Sequence, residues 1–106
     1  MIEQPNLKYV DDLAGDDVAF RQQFITILKE EFPKERETYI DHVENKRTKE
    51  TAAIVHKLKH KFNILGMEEA YRLAVTYEKE LLEGQITADA KFKMILDTIA
   101  GYIKNI

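Results

Sequence analysis

His56 and His60 stand one helical turn apart in the stretch IVHKLKHKFNILG, residues 54 to 66, interleaved with Lys57, Lys59 and Lys61. An imidazole with a reference pKa of about 6.5 is mostly neutral at neutral pH and keeps a free lone pair on one ring nitrogen. That nitrogen can attack phosphorus, take up a proton or bind a metal ion. A lysine three residues further along a helix lies on the same face, where it can balance the roughly −1.5 to −2 charge of a transferred phosphoryl group. An exposed histidine among lysines is also what an ordinary solvated helix face looks like.

The helix that carries these residues sorts them by direction. At about 100° per residue, Ile54, Val55, Leu58, Phe62 and Leu65 share one sector, which must be the buried side. His56 lies roughly 150° from the centre of that sector and so points to water. Ala52, Lys59, His60 and Asn63 are its expected neighbours on the outer face. Asn63 reads as solvated, Lys57 and Lys61 as solubilising residues, and Tyr71 and Tyr77, further on, as packing residues.

Four glycines, two prolines and apolar residues recurring at three and four make the chain helical throughout, with no alternating strand. Leu7, Val10 and Leu13 mark a short opening segment, and Gly15 and Asp16 a turn and an N-cap. Phe20, Phe24, Ile27 and Leu28 form the next stripe. Pro33 is expected to kink or break that helix, which resumes through Tyr39, Ile40 and Val43. After a turn at 45–47, Thr48 caps a helix to Leu65, ended by Gly66. From Met67 to Glu83 the inward residues are Ala70, Leu73, Ala74, Tyr77 and Leu81, and Gly84 closes the segment. Thr87 caps a last helix with Phe92, Ile95, Leu96, Ile99 and Ile103 on one face. Short connections between amphipathic helices favour an all-α, antiparallel up-and-down four-helix bundle with a short N-terminal extra helix.

At 106 residues and 44% apolar content, the chain is sized for one domain, residues 1–106, with one ordinary core. It has no cysteine, which excludes disulfides and cysteine-based metal or redox sites and agrees with a reducing cytoplasm. No apolar run reaches the roughly 20 residues of a membrane span, and the start, MIEQPNLKYVDD, lacks the segments of a signal peptide. The net charge of −3 argues against a general nucleic-acid binder. Charge is uneven, however: residues 48–63 hold four lysines against Glu50 alone. No aromatic residue shares the face of this short basic strip, which further disfavours nucleic acid.

HKLKHKFNILG resembles the signature of the histidine-containing phosphotransfer (HPt) domain: histidine, any residue, leucine, lysine, glycine, then four or five residues to a glycine. His56, Leu58, Lys59 and Gly66 fill its places. DLAGDDVAFRQQFITILKEEF resembles the family's opening helix, and YRLAVTYEKELLEGQ the helix after its histidine helix, so the likeness spans nearly the whole chain. It implies a phosphoryl carrier with His56 as phosphoacceptor and Lys59 as its electrostatic support. The partners would be response-regulator receiver domains and a hybrid histidine kinase. The implied carrier is a stoichiometric one, not an enzyme, with no cofactor of its own and with Mg²⁺ on the receiver. No glycine-rich nucleotide loop is present, so ATP is not an expected ligand. The basic strip suits an acidic receiver surface. A monomer is the default for a shuttle, and the short lead from Met1 to the first helix, with Ile106 just after the last, favours a free-standing carrier.

His60 departs from the family, which has glycine there. A glycine costs about 1 kcal/mol of helix stability relative to alanine, a cost consistent with leaving a bare backbone for the partner's approach. An imidazole fills that space, so His60 is expected to modify partner choice or phosphohistidine lifetime. Lys61 and Phe62 replace the small residues that commonly follow, and Phe62 reads as core. Two other readings stay open. One is an HPt-fold docking module that binds receivers without carrying phosphate. The other is a metal site on His56 and His60, for which the sequence fixes no third ligand, His42 lying in another helix.

Overall fold

The structure, a computed structural model, describes residues 3–106. Five helices and no strand are found among them: α1 (Lys8–Ala14), α2 (Val18–Glu44), α3 (Thr48–Ile64), α4 (Glu68–Leu82) and α5 (Asp89–Ile103). No helix among these residues is long and apolar enough to cross a membrane.

The second half of the chain follows its periodicity closely. Ile54, Val55, Leu58, Phe62 and Leu65 are all buried, as are Ala70, Ala74, Tyr77 and Leu81 of α4 and Phe92, Leu96, Ile99 and Ile103 of α5. Leu73 and Ile95 are half-buried. Gly66 (φ 71°) and Gly84 (φ 83°) adopt the left-handed conformation that ends a helix. Gly66 is needed for a second reason, because a Cβ there would come within 2.7 Å of the Asn6 side chain.

α2 corrects the expectation in two ways. It runs unbroken through Pro33, whose ring is exposed, with Phe32 buried before it and Tyr39 and Val43 buried after it. Packing on both sides of the proline outweighs the lost backbone donor. Its buried residues are Ile25, Leu28, Phe32, Tyr39 and Val43, whereas Phe20 and Ile27 are 37% and 45% exposed. Phe20 and Phe24 pack edge-on with ring centres 5.2 Å apart, so each shields the other rather than entering the core. Leu13 is likewise exposed; Val10 and Ala14 are the buried residues of α1.

Three caps also shift. Asp17, not Asp16, accepts the Phe20 N–H at 3.0 Å. Arg47 rather than Thr48 precedes α3, and Ala88 rather than Thr87 precedes α5; the Thr87 hydroxyl donates instead to Glu80. Met67 is the buried residue just before α4 and supplies no side-chain cap. That role falls to the N-terminal segment, where the Glu3 carboxylate accepts from the N–H groups of Glu69 (3.1 Å) and Ala70 (3.0 Å). The Asn6 N–H donates to the Leu65 carbonyl at 2.8 Å and holds the segment across the α3–α4 turn. Glu3→Ala leaves those donors to water and is expected to cost about 1 kcal/mol. Thermal unfolding would read this as a midpoint about 5 °C lower, and an unchanged midpoint rejects the cap.

One aromatic cluster joins four helices. The Phe92 ring lies 4.6 Å from that of Tyr39 (α2), 5.5 Å from Phe62 (α3) and 5.4 Å from Tyr77 (α4), centre to centre. Polar ends of the cluster are satisfied in series. Tyr39 donates to Asp89 at 2.6 Å, so its oxygen accepts from Tyr77 at 2.9 Å, and Lys93 pairs with Asp89 at 3.1 Å. Burial, reinforced by the bond to Asp89, pushes the Tyr39 hydroxyl far above the usual phenol range, and burial raises Tyr77 too. Both therefore stay protonated and able to donate.

Candidate functional site

α3 packs against α2 on one flank and α4 on the other, which leaves a strip of its surface open. His56 and His60 lie on that strip, both exposed, His56 with 53% of its side chain accessible. Their rings meet edge to face with centres 5.1 Å apart. Asn63 is exposed further along. Ala52, expected on the outer face, is instead buried, because the flank it occupies is covered by the neighbouring helix packing.

The residue that organises the site is one the sequence reading missed. Glu78 on α4 places Oε1 3.0 Å from His56 Nδ1 and Oε2 3.0 Å from Lys59 Nζ. A carboxylate can only accept, so Nδ1 carries the imidazole proton and Nε2 holds the lone pair. With Nδ1 tied to α4, the lone pair belongs to the nitrogen that Glu78 does not engage. Lys59 is not a solvated side chain: only 13% of it is accessible, against 21% for Glu78. The carboxylate thus draws both groups to the α4 flank and orients them together. Glu78 is the residue of this site that periodicity along α3 does not reveal. Its only sequence signal is a position in α4 next to Tyr77, and that gains meaning once α3 and α4 are packed.

Lys61 is corrected as well. It is buried, and its ammonium donates to Glu31 Oε1 at 2.8 Å and to Glu35 Oε2 at 3.3 Å, linking α3 to α2. The hydrogen bond from Lys61, and then its charge, hold the Glu31 carboxyl below its ordinary value of 4.5. A group lowered in the folded state stabilises the fold above its unfolded pKa, and that contribution disappears as pH falls through the lowered value. The Glu31 side chain is half exposed, so solvent screening keeps the effect small. Urea unfolding between about pH 6 and about pH 3 is expected to show a shallower acid loss for Lys61→Met than for the wild type. Identical slopes would reject the pair as a contributor. Lys57 remains exposed, in keeping with a solubilising role.

His42 sits apart on α2, its Nδ1 3.1 Å from an Arg47 guanidinium nitrogen. The geometry brings together His56, Lys59, His60 and Glu78. Comparison with family models, curated proteins and solved structures finds no match to this chain.

Proposed function

We propose that the chain is a histidine phosphotransfer protein, a stoichiometric phosphoryl carrier between receiver-domain aspartates in a two-component multistep phosphorelay. The observation that carries the reading is His56: an exposed imidazole whose Nδ1–H donates a hydrogen bond to Glu78, with a lysine held alongside by the same carboxylate. The resemblance of HKLKHKFNILG to the HPt signature supplies the reaction class. An antiparallel up-and-down bundle of α2 to α5, with α1 as the extra helix, belongs to the same proposal, supported by α3 packing on α2 and α4 and by α5 packing on both of those helices.

In the proposed step the Nε2 lone pair forms the nitrogen–phosphorus bond as the bond from phosphorus to the receiver's aspartyl oxygen breaks. The aspartate leaves as a carboxylate. No proton has to depart from His56, since Nδ1 keeps its hydrogen and the ring takes up a positive charge that the Glu78 carboxylate balances. Lys59 offsets charge on the phosphoryl oxygens. The receiver's acidic pocket and its Mg²⁺ provide in-line positioning and the remaining neutralisation, so this chain needs no nucleotide site.

The test is incubation with a phosphorylated receiver. Acid-labile, base-stable phosphate on the wild type and none on His56→Gln is the expected result. A second reading, an HPt-fold module that binds receivers without carrying phosphate, is motivated by His60 where the family has glycine. Receiver binding with no label on the wild type would select it.

A further inference from the structure

His60 has no role in the step just described, yet it is exposed, no hydrogen bond from another described residue holds its ring, and it lies against the acceptor. His56 already has the surroundings of a metal-binding histidine, because such residues commonly donate their second ring N–H to a carboxylate, which fixes the tautomer and makes the free nitrogen more basic. Glu78 makes that bond at 3.0 Å. Spacing of four residues puts both imidazoles on one helix face. An ion about 2.0–2.1 Å from one nitrogen of each imidazole sits about 3.2 Å from each ring centre, and a tetrahedral angle then sets the centres about 5.2 Å apart. The observed separation is 5.1 Å with the rings edge to face, so the centres are spaced for a shared ion and the ring of His60 has to turn to aim its nitrogen at it.

We propose that His56 and His60 form a two-imidazole site for a late first-row divalent cation, zinc in the first instance, and that its occupancy blocks phosphoryl loading. Imidazole pairs suit zinc, copper and nickel and not Mg²⁺, so the receiver's own ion does not compete. Among the described residues no group of three His, Asp or Glu is placed to hold a metal, so water completes the coordination and the site is a reversible one. The charge of Lys59 is offset by its pairing with Glu78. His56 Nε2 has one lone pair, which bonds either to the ion or to phosphorus. The second half of this proposal rests on the phosphocarrier reading; the first half does not.

Titration of zinc alone into the purified protein, followed by calorimetry, is the first arm. One ion per chain is expected. His56→Gln or His60→Gln removes one of two tethered ligands and is expected to weaken binding about a hundredfold. Glu78→Gln leaves both imidazoles but removes the orienting charge and is expected to weaken it by about tenfold. No binding by the wild type, or wild-type affinity in either histidine variant, overturns the site. In the second arm, loading from a phosphorylated receiver is measured with and without zinc, each protein against its own zinc-free rate. Slowing of the wild type but not of His60→Gln supports competition, and equal slowing of both overturns it. If the wild type takes no label even without zinc, the phosphocarrier reading fails while the titration still decides the metal site.

Discussion

Glu78→Leu is expected to lower the single-turnover rate of phosphoryl transfer to His56 by about 10- to 100-fold, the range found when a functional histidine loses its orienting carboxylate at metal sites. Three effects of the one residue combine. The carboxylate keeps the proton on Nδ1, so the nucleophilic lone pair stays on Nε2; it balances the charge that the ring gains on phosphorylation; and it holds the nearby Lys59 in place. Glu78→Gln separates them, because the amide oxygen can still accept from Nδ1 while the charge is gone. An intermediate rate is expected for that variant, with the Nδ1–H tautomer retained in the nitrogen chemical shifts of the imidazole. In Glu78→Leu the shifts are expected to report mixed tautomers. A Leu variant that transfers at the wild-type rate removes Glu78 from the mechanism.

Why Glu78 escaped a reading of the sequence has a physical answer. Periodicity reports the direction of a side chain relative to its own helix axis, and on α3 that was enough: the sector from Ile54 to Leu65 is buried and His56 points outward. The partner of His56 lies 22 residues away on another helix, and its approach depends on how α3 and α4 dock. Lys61 was misread for the same reason. Its charge marks a solvated residue unless a second helix presents carboxylates, and Glu31 and Glu35, one turn apart on α2, do so. The failure on α2 itself differs. Large apolar residues near its start drew the stripe towards Phe20 and Ile27, whereas the helix buries Leu28 of that stripe together with Ile25, which lay outside it. Helix ends set by backbone conformation, at Gly66 and Gly84, were legible because only glycine takes that conformation without strain. Of the expected side-chain caps only that of α2 is found, at Asp17 beside Asp16, while α3 and α5 have none; the distant cap from Glu3 could not be seen, since nothing local ties Glu3 to α4.

The largest effect on stability is expected at Phe92, where replacement by alanine removes the ring that touches Tyr39, Phe62 and Tyr77 at once. Truncating a fully buried phenylalanine costs about 3–5 kcal/mol through lost transfer energy and the cavity left behind. At about 4–8 °C per kcal/mol for a domain of this size, the thermal midpoint is expected to fall by more than about 12 °C. The surroundings cannot collapse cheaply into the space, because Tyr39 and Tyr77 are held by the hydrogen bonds that run to Asp89. Phe92→Leu keeps most of the volume and is expected to cost well under half as much, about 1 to 1.5 kcal/mol. Equal losses in the two variants would show that the cluster is already loosely packed. Tyr77 precedes Glu78 on α4, so its anchorage against Phe92 also fixes the face of α4 that reaches His56. In Phe92→Leu, which stays folded, the His56 tautomer is therefore expected to persist. Mixed tautomers there would mean that the site depends on the core more tightly than the packing of one flank requires.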